Sequence, residues 1–82
     1  MLLMEVILFG ISREIVGKKK LVIESSEKIQ TVGELKQWMR KKYPPLQRLT
    51  SLAVAVDSEY ADDKQPIADD NEVALIPPVS GG

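Results

Sequence analysis

Apolar positions along this 82-residue chain follow two different rhythms. Residues 3–9 (LMEVILF) form a nearly unbroken apolar run with Val6, Ile7 and Leu8 at its centre. Such a run, rich in residues of high β-propensity, predicts a central strand covered on both faces. Gly10 ends it. Residues 19–24 (KKLVIE) predict a second strand, and Ile15-Val16-Gly17-Lys18 supplies the turn of a hairpin with a longish loop. The period then changes. Val32, Leu35, Trp38 and Met39 recur at the i, i+3, i+4, i+7 spacing of one buried helical face. Thr31 and Glu34 stand at capping-box spacing before that stripe: the hydroxyl accepts from the backbone three residues on, and the carboxylate reaches back to the Thr amide. Arg40-Lys41-Lys42 suit the negative end of a helix, and Pro44-Pro45 forbids its continuation. The spacing therefore predicts a helix over residues 31–42.

Residues 52–56 (LAVAV) predict a third strand, and Glu59-Tyr60-Ala61 a short edge strand beyond a turn at Asp57-Ser58. Residues 65–71 are polar apart from Ile67 and read as a loop with at most one helical turn. Residues 72–76 (EVALI) predict the last strand, stopped by Pro77. The order β-β-α-β-(β)-β, with no repeat or linker, predicts an α+β layer: a mixed sheet of four or five strands over one main helix. The first strand, being the most apolar, belongs near the centre. Its expected neighbours are the second strand, antiparallel, and the last strand. That is the β-grasp, or ubiquitin-like, arrangement. Residues 1–76 then form the domain, and residues 77–82 an extended C-terminal tail that leaves the sheet boundary for solvent.

Composition removes most kinds of chemistry. The chain has no Cys and no His, so disulfides, thiolate or imidazole metal sites, a thiol nucleophile and the usual general base are all absent. No metal site is expected, and the chain is poorly equipped to be an enzyme by itself. With 11 basic and 12 acidic residues it offers no general field for nucleic acid or an anionic membrane. The apolar run at the N-terminus is far short of a membrane span, and no basic start or cleavage site precedes it, so a cytosolic chain is expected. One feature remains. The chain ends Pro77-Pro78-Val79-Ser80-Gly81-Gly82, a stiff pair followed by small residues. A tail that tapers to a side-chain-free carboxylate can thread a narrow channel; a frayed end is the bland alternative.

Leu8-Phe9-Gly10-Ile11-Ser12-Arg13-Glu14-Ile15-Val16-Gly17 resembles the F-x-x-x-R-E-x-x-G segment of the small-subunit family of molybdopterin synthase, a group of ubiquitin-like sulfur carriers. Residues 54–60 and 71–82 resemble the C-terminal half of that family, and Pro-Pro-Val-Ser-Gly-Gly is the specific element. The resemblance implies a carrier for molybdenum cofactor synthesis. An E1-like adenylyltransferase would use ATP to adenylate the Gly82 carboxylate, and a sulfur donor would convert the adenylate to a thiocarboxylate. The tail would then enter the large synthase subunit, which passes the sulfur to cyclic pyranopterin monophosphate. The chain itself would hold no cofactor. Gly82 would be the reactive group, with Gly81, Ser80, Val79, Pro78, Pro77 and Ile76 as partner-binding residues.

Phe9, Tyr60 and Ile76 match positions where the family places apolar residues against the large subunit, although each serves equally as core on sequence grounds. Arg13 matches the family's arginine, a candidate partner contact or a solvated cation. Lys18-Lys19-Lys20 and the cations of residues 40–42 read as a solvated turn and a helix end, and Trp38 as packing. Asp57 stands where the family often has Asn, and Asp70 where Gly is frequent. Two other uses stay open: a carrier for thiamine or tRNA thiolation with protein conjugation, or a ubiquitin-like interaction domain whose tail is incidental.

Overall fold

The computed structural model describes residues 3–24, 28–49, 51–68 and 70–77. Strand β1 (Leu3–Leu8) leads into a short helix α1 (Gly10–Val16), then β2 (Lys20–Glu24), the main helix α2 (Val32–Lys42) and a 3₁₀ helix (Pro44–Arg48). Strands β3 (Ala53–Val56), β4 (Glu59–Ala61) and β5 (Val73–Ile76) follow. All five strands form one sheet in the order β2-β1-β5-β3-β4. β1 is antiparallel to β2 and parallel to β5, while β5 and β4 flank β3 antiparallel. The expected α+β layer is present, a mixed sheet on one main helix.

The sheet has one dry face. Met4, Val6 and Leu8 of β1 point inward with Leu21 and Ile23, Val54 and Val56, and Val73 and Leu75. Val32, Leu35 and Met39 of α2 lie in the same buried cluster, joined by Leu46 of the 3₁₀ helix. Trp38 and Tyr43 pack at its edge. Each of these apolar side chains moves out of water, the dominant favourable term in folding.

The start of α2 shows how a local signal and a distant loop share one task. A helix leaves four N–H groups without an internal partner at its N-terminus. Here the Thr31 amide donates to Glu34 Oε1 at 3.1 Å, and the Glu34 amide to Thr31 Oγ1 at 3.2 Å. The Val32 amide donates to the Gln65 carbonyl at 3.0 Å and that of Gly33 to the Asp63 carbonyl at 2.9 Å. A Cβ on Gly33 would stand 3.1 Å from that Asp63 oxygen. The 2.7 Å Lys36–Asp63 ion pair and the Ile67 amide, which donates to the Gln30 carbonyl at 2.9 Å, tie the same loop down.

Three expectations need correction. The hairpin between β1 and β2 is not a plain turn: residues 10–16 form α1, closed by Gly17 at φ 83°, whose amide donates to the Arg13 carbonyl at 2.8 Å. A helix this short is held by tertiary contact rather than propensity, so no long apolar period announces it. β1 is not covered on both faces, since its burial alternates and Leu3 and Glu5 are exposed. Its continuous apolar run arises because the outer face also carries apolar residues. As expected, α2 stops before Pro44-Pro45; both prolines then open the 3₁₀ helix, where their missing N–H groups are no loss. Pro77 does not project into solvent; it is buried, with Gly10 beneath its ring.

Candidate docking site on the open face of the sheet

The alternate residues of the sheet face outward. Register places Ile7 beside Ala74, Ala74 beside Ala55, and Ala55 beside Tyr60, one row across four strands. Ala53 lies beside Ile76 in the next row. Phe9 follows β1 in the same alternation, its amide donating to the Leu75 carbonyl at 3.3 Å. Two alanines between larger neighbours leave a valley. Phe9, Ala55, Ser58, Tyr60, Glu72, Ala74 and Ile76 line a shallow depression of about 280 Å³. Tyr60 is 76% exposed and Phe9 44%, while Ile76 is half-buried. Apolar side chains left in water beside one another are the usual mark of a contact surface.

Tyr60 reaches this place through a tight turn. Asp57 and Ser58 both have positive φ, 52° and 71°, the twist that a two-residue hairpin loop requires. Asp tolerates that conformation because its short polar side chain bonds locally. Asp57 Oδ1 accepts from the Glu72 amide and Oδ2 from Asn71 Nδ2, both at 2.8 Å, and the Asp57 amide donates to the Glu72 carbonyl at 2.7 Å. This clasp joins the β3–β4 turn to the entry of β5 and so fixes one wall of the depression.

A more polar hollow of about 510 Å³ lies toward the other end of β1, lined by Leu3, Glu5, Ile7, Lys20, Asp70, Asn71 and Glu72. Glu5 and Lys20 form a 3.5 Å ion pair there. The hollow is larger, but the expected interface residues are not in it. The smaller, apolar depression gathers Phe9, Tyr60 and Ile76, which sequence reasoning could not distinguish from core. Arg13 is exposed on α1 and lines neither hollow. Pro77 follows Ile76 directly. Pro78, Val79, Ser80, Gly81 and Gly82 lie outside the described residues.

Ala55, Ala74, Ser58 and Glu72 were missed by sequence reasoning. The only available signal was the alternation of small with large residues in Val54-Ala55-Val56 and Val73-Ala74-Leu75. Chemically, the arrangement suits docking. Among the described residues, no group of three His, Cys, Asp or Glu could hold a metal ion, and no buried side-chain N or O lacks a hydrogen-bond partner. No helix among them is long and apolar enough to cross a membrane.

Comparison with known proteins agrees with the fold. The chain is 34% identical to the molybdopterin synthase sulfur carrier subunit of Caenorhabditis elegans over 85 residues, covering 100% of both chains. The crystal structure of SAMP1 from Haloferax volcanii superposes with a TM-score of 0.76 at 27% identity, covering 98% of this chain and 99% of that one. A protein–protein complex of subunits 1 and 2 of the molybdopterin-converting factor from Helicobacter pylori contains a chain that superposes with a TM-score of 0.64 at 25% identity, with 98% and 99% covered. Residues 6–82 match the ThiS family model. With nearly the whole chain matched and the sheet order in place, this ubiquitin-like β-grasp protein belongs to the ThiS family.

Proposed function

We propose that the chain is the sulfur carrier subunit of a molybdopterin synthase, acting in the cytoplasm, with Gly82 as its reactive residue and the open sheet face as its docking surface. The observation that carries this reading is the apolar depression of Phe9, Tyr60 and Ile76 beside Pro77, the root of the Gly-Gly end. A partner seated on that face would lie within reach of a tail of six residues, roughly 20 Å when extended. The name of the Caenorhabditis elegans relative and the subunit 1–2 complex of the Helicobacter pylori neighbour support a large-subunit partner.

The chemistry divides between partners. An α-carboxylate is ionised at neutral pH and is a poor electrophile. An E1-like enzyme attaches it to AMP from ATP, releasing pyrophosphate. Sulfide from a donor then attacks the acyl carbon, AMP departs, and a thiocarboxylate remains. In the large subunit that sulfur passes to cyclic pyranopterin monophosphate, and water restores the carboxylate. Two such rounds give the dithiolene. The chain contributes orientation: Pro77 and Pro78 limit the tail's conformations, and Gly81 and Gly82 present no side chain to the channel wall. With no Cys anywhere in the sequence, the activated carbonyl is not captured internally. ATP is a substrate of the adenylating partner, and the carrier holds no cofactor of its own.

Intact-mass analysis after incubation with the cognate E1-like enzyme, ATP and a sulfur donor checks this. One oxygen should be replaced by sulfur at Gly82; an unchanged mass with authentic partners would sink the proposal. The likeness to SAMP1, a small archaeal modifier protein, favours a second use of the same activated end, conjugation to lysine amines. Isopeptide adducts ending in Gly82 would establish that use.

A further inference from the structure

Gly10 is occupied for two independent reasons. Its φ of 56° is one that side chains rarely adopt, and a Cβ built there would stand 3.1 Å from Cγ of Pro77. Around it the bend is secured. The Ser12 hydroxyl donates to the Phe9 carbonyl, and Ser12 is the only fully buried polar side chain among the described residues. Phe9 itself is extended and bonded to β5, so the chain turns from sheet to helix within one residue. Pro77 sits on that turn, buried, directly after the last strand residue.

We infer that Gly10 is a positioning residue for the C-terminal tail: at the bend that Ser12 secures, it leaves a seat for the Pro77 ring that fixes the direction in which the tail leaves the sheet. This rests on the carrier reading above only for its reaction readout. Proline holds its own φ near −65°, so the ring's seat sets the backbone direction that follows. A swing of about 10° at the root would carry the end of a 20 Å tail about 3.5 Å. Misplacement of that size is enough to slow a reaction that needs the carboxylate held in line. A Cβ at position 10 would require the ring to give way on its seat.

The test is a double-mutant cycle on the full-length chain with its adenylating enzyme, reading ATP-dependent pyrophosphate release. Gly10→Asn supplies a Cβ but tolerates positive φ better than other residues, which separates the contact from the bend. It should lower kcat about tenfold or more, with KM little changed, because docking through the open face is untouched. Pro77→Ala removes the ring and should also lower kcat. Once the ring is gone, Gly10→Asn should add no more than about a twofold further loss. Additive losses, or a folded Gly10→Asn with wild-type kcat, would overturn the inference. If Gly10→Asn does not fold, Pro77→Ala alone decides it: unchanged kcat overturns the seat. If the wild-type chain is not adenylated at all, the carrier proposal fails instead. Residual dipolar couplings of the Val79 amide then judge the seat in the isolated chain, through Gly10→Asn or, where that does not fold, Pro77→Ala. A shift relative to wild type supports it and identical couplings in a folded variant refute it.

Discussion

Tyr60 stands on the open face with 76% of its surface in water, while Ala55 and Ala74 leave a valley beside it. A ring so placed adds little to folding, since exposed substitutions usually change stability by about 0.5 kcal/mol or less. At an interface it would be an anchor. Tyr60→Ala should therefore leave the urea midpoint nearly unchanged and weaken binding to the large subunit about tenfold or more by titration calorimetry. Equal affinity would remove Tyr60 from the interface. Asp57 behaves in the opposite way. Asp57→Ala strips acceptors from the Glu72 amide and Asn71 and puts Ala at φ 52°, so a loss of about 1–2 kcal/mol in urea unfolding is expected. At this scale Phe9, Tyr60 and Ile76 were legible as candidates through the family resemblance. The alanines that make room beside them were not, because an alanine in a sequence carries no sign of the space around it.

Among the elements, α2 was the most legible and α1 the least. The stripe Val32, Leu35, Met39 and the pair Thr31 and Glu34 state a helix and its first turn within a dozen residues, and both capping bonds are present. Thr31→Ala should cost about 1 kcal/mol in urea unfolding, since the Glu34 amide loses its acceptor. An unchanged midpoint would mean that water replaces the hydroxyl fully. Half of that N-terminus was invisible, however. The acceptors for the Val32 and Gly33 amides are the Gln65 and Asp63 carbonyls, about thirty residues further on. α1 lacks even a partial signal. Seven residues are too few for periodicity to show, and what holds them is Ser12 on the Phe9 carbonyl, the αL closure at Gly17 and contact with β5.

For the whole molecule, the proposed division between a folded body and a reactive Gly-Gly end makes one demand. Removing Gly81 and Gly82 should leave the thermal midpoint unchanged and retain large-subunit binding through the sheet face. It should abolish sulfur transfer altogether. Transfer that survives the deletion would locate the chemistry elsewhere. The strands, the main helix, the lack of any thiol or imidazole, and the Gly-Gly end can all be read from the chain, because each depends on neighbours within a few positions. Tertiary structure decided the rest. Pairing of β1 with β5 brings Phe9 beside Ile76, the hairpin adds Tyr60 across two alanines, and the bend at Gly10 receives Pro77. Those meetings join residues from opposite ends of the chain, and register and space between distant segments are written in no single stretch of sequence.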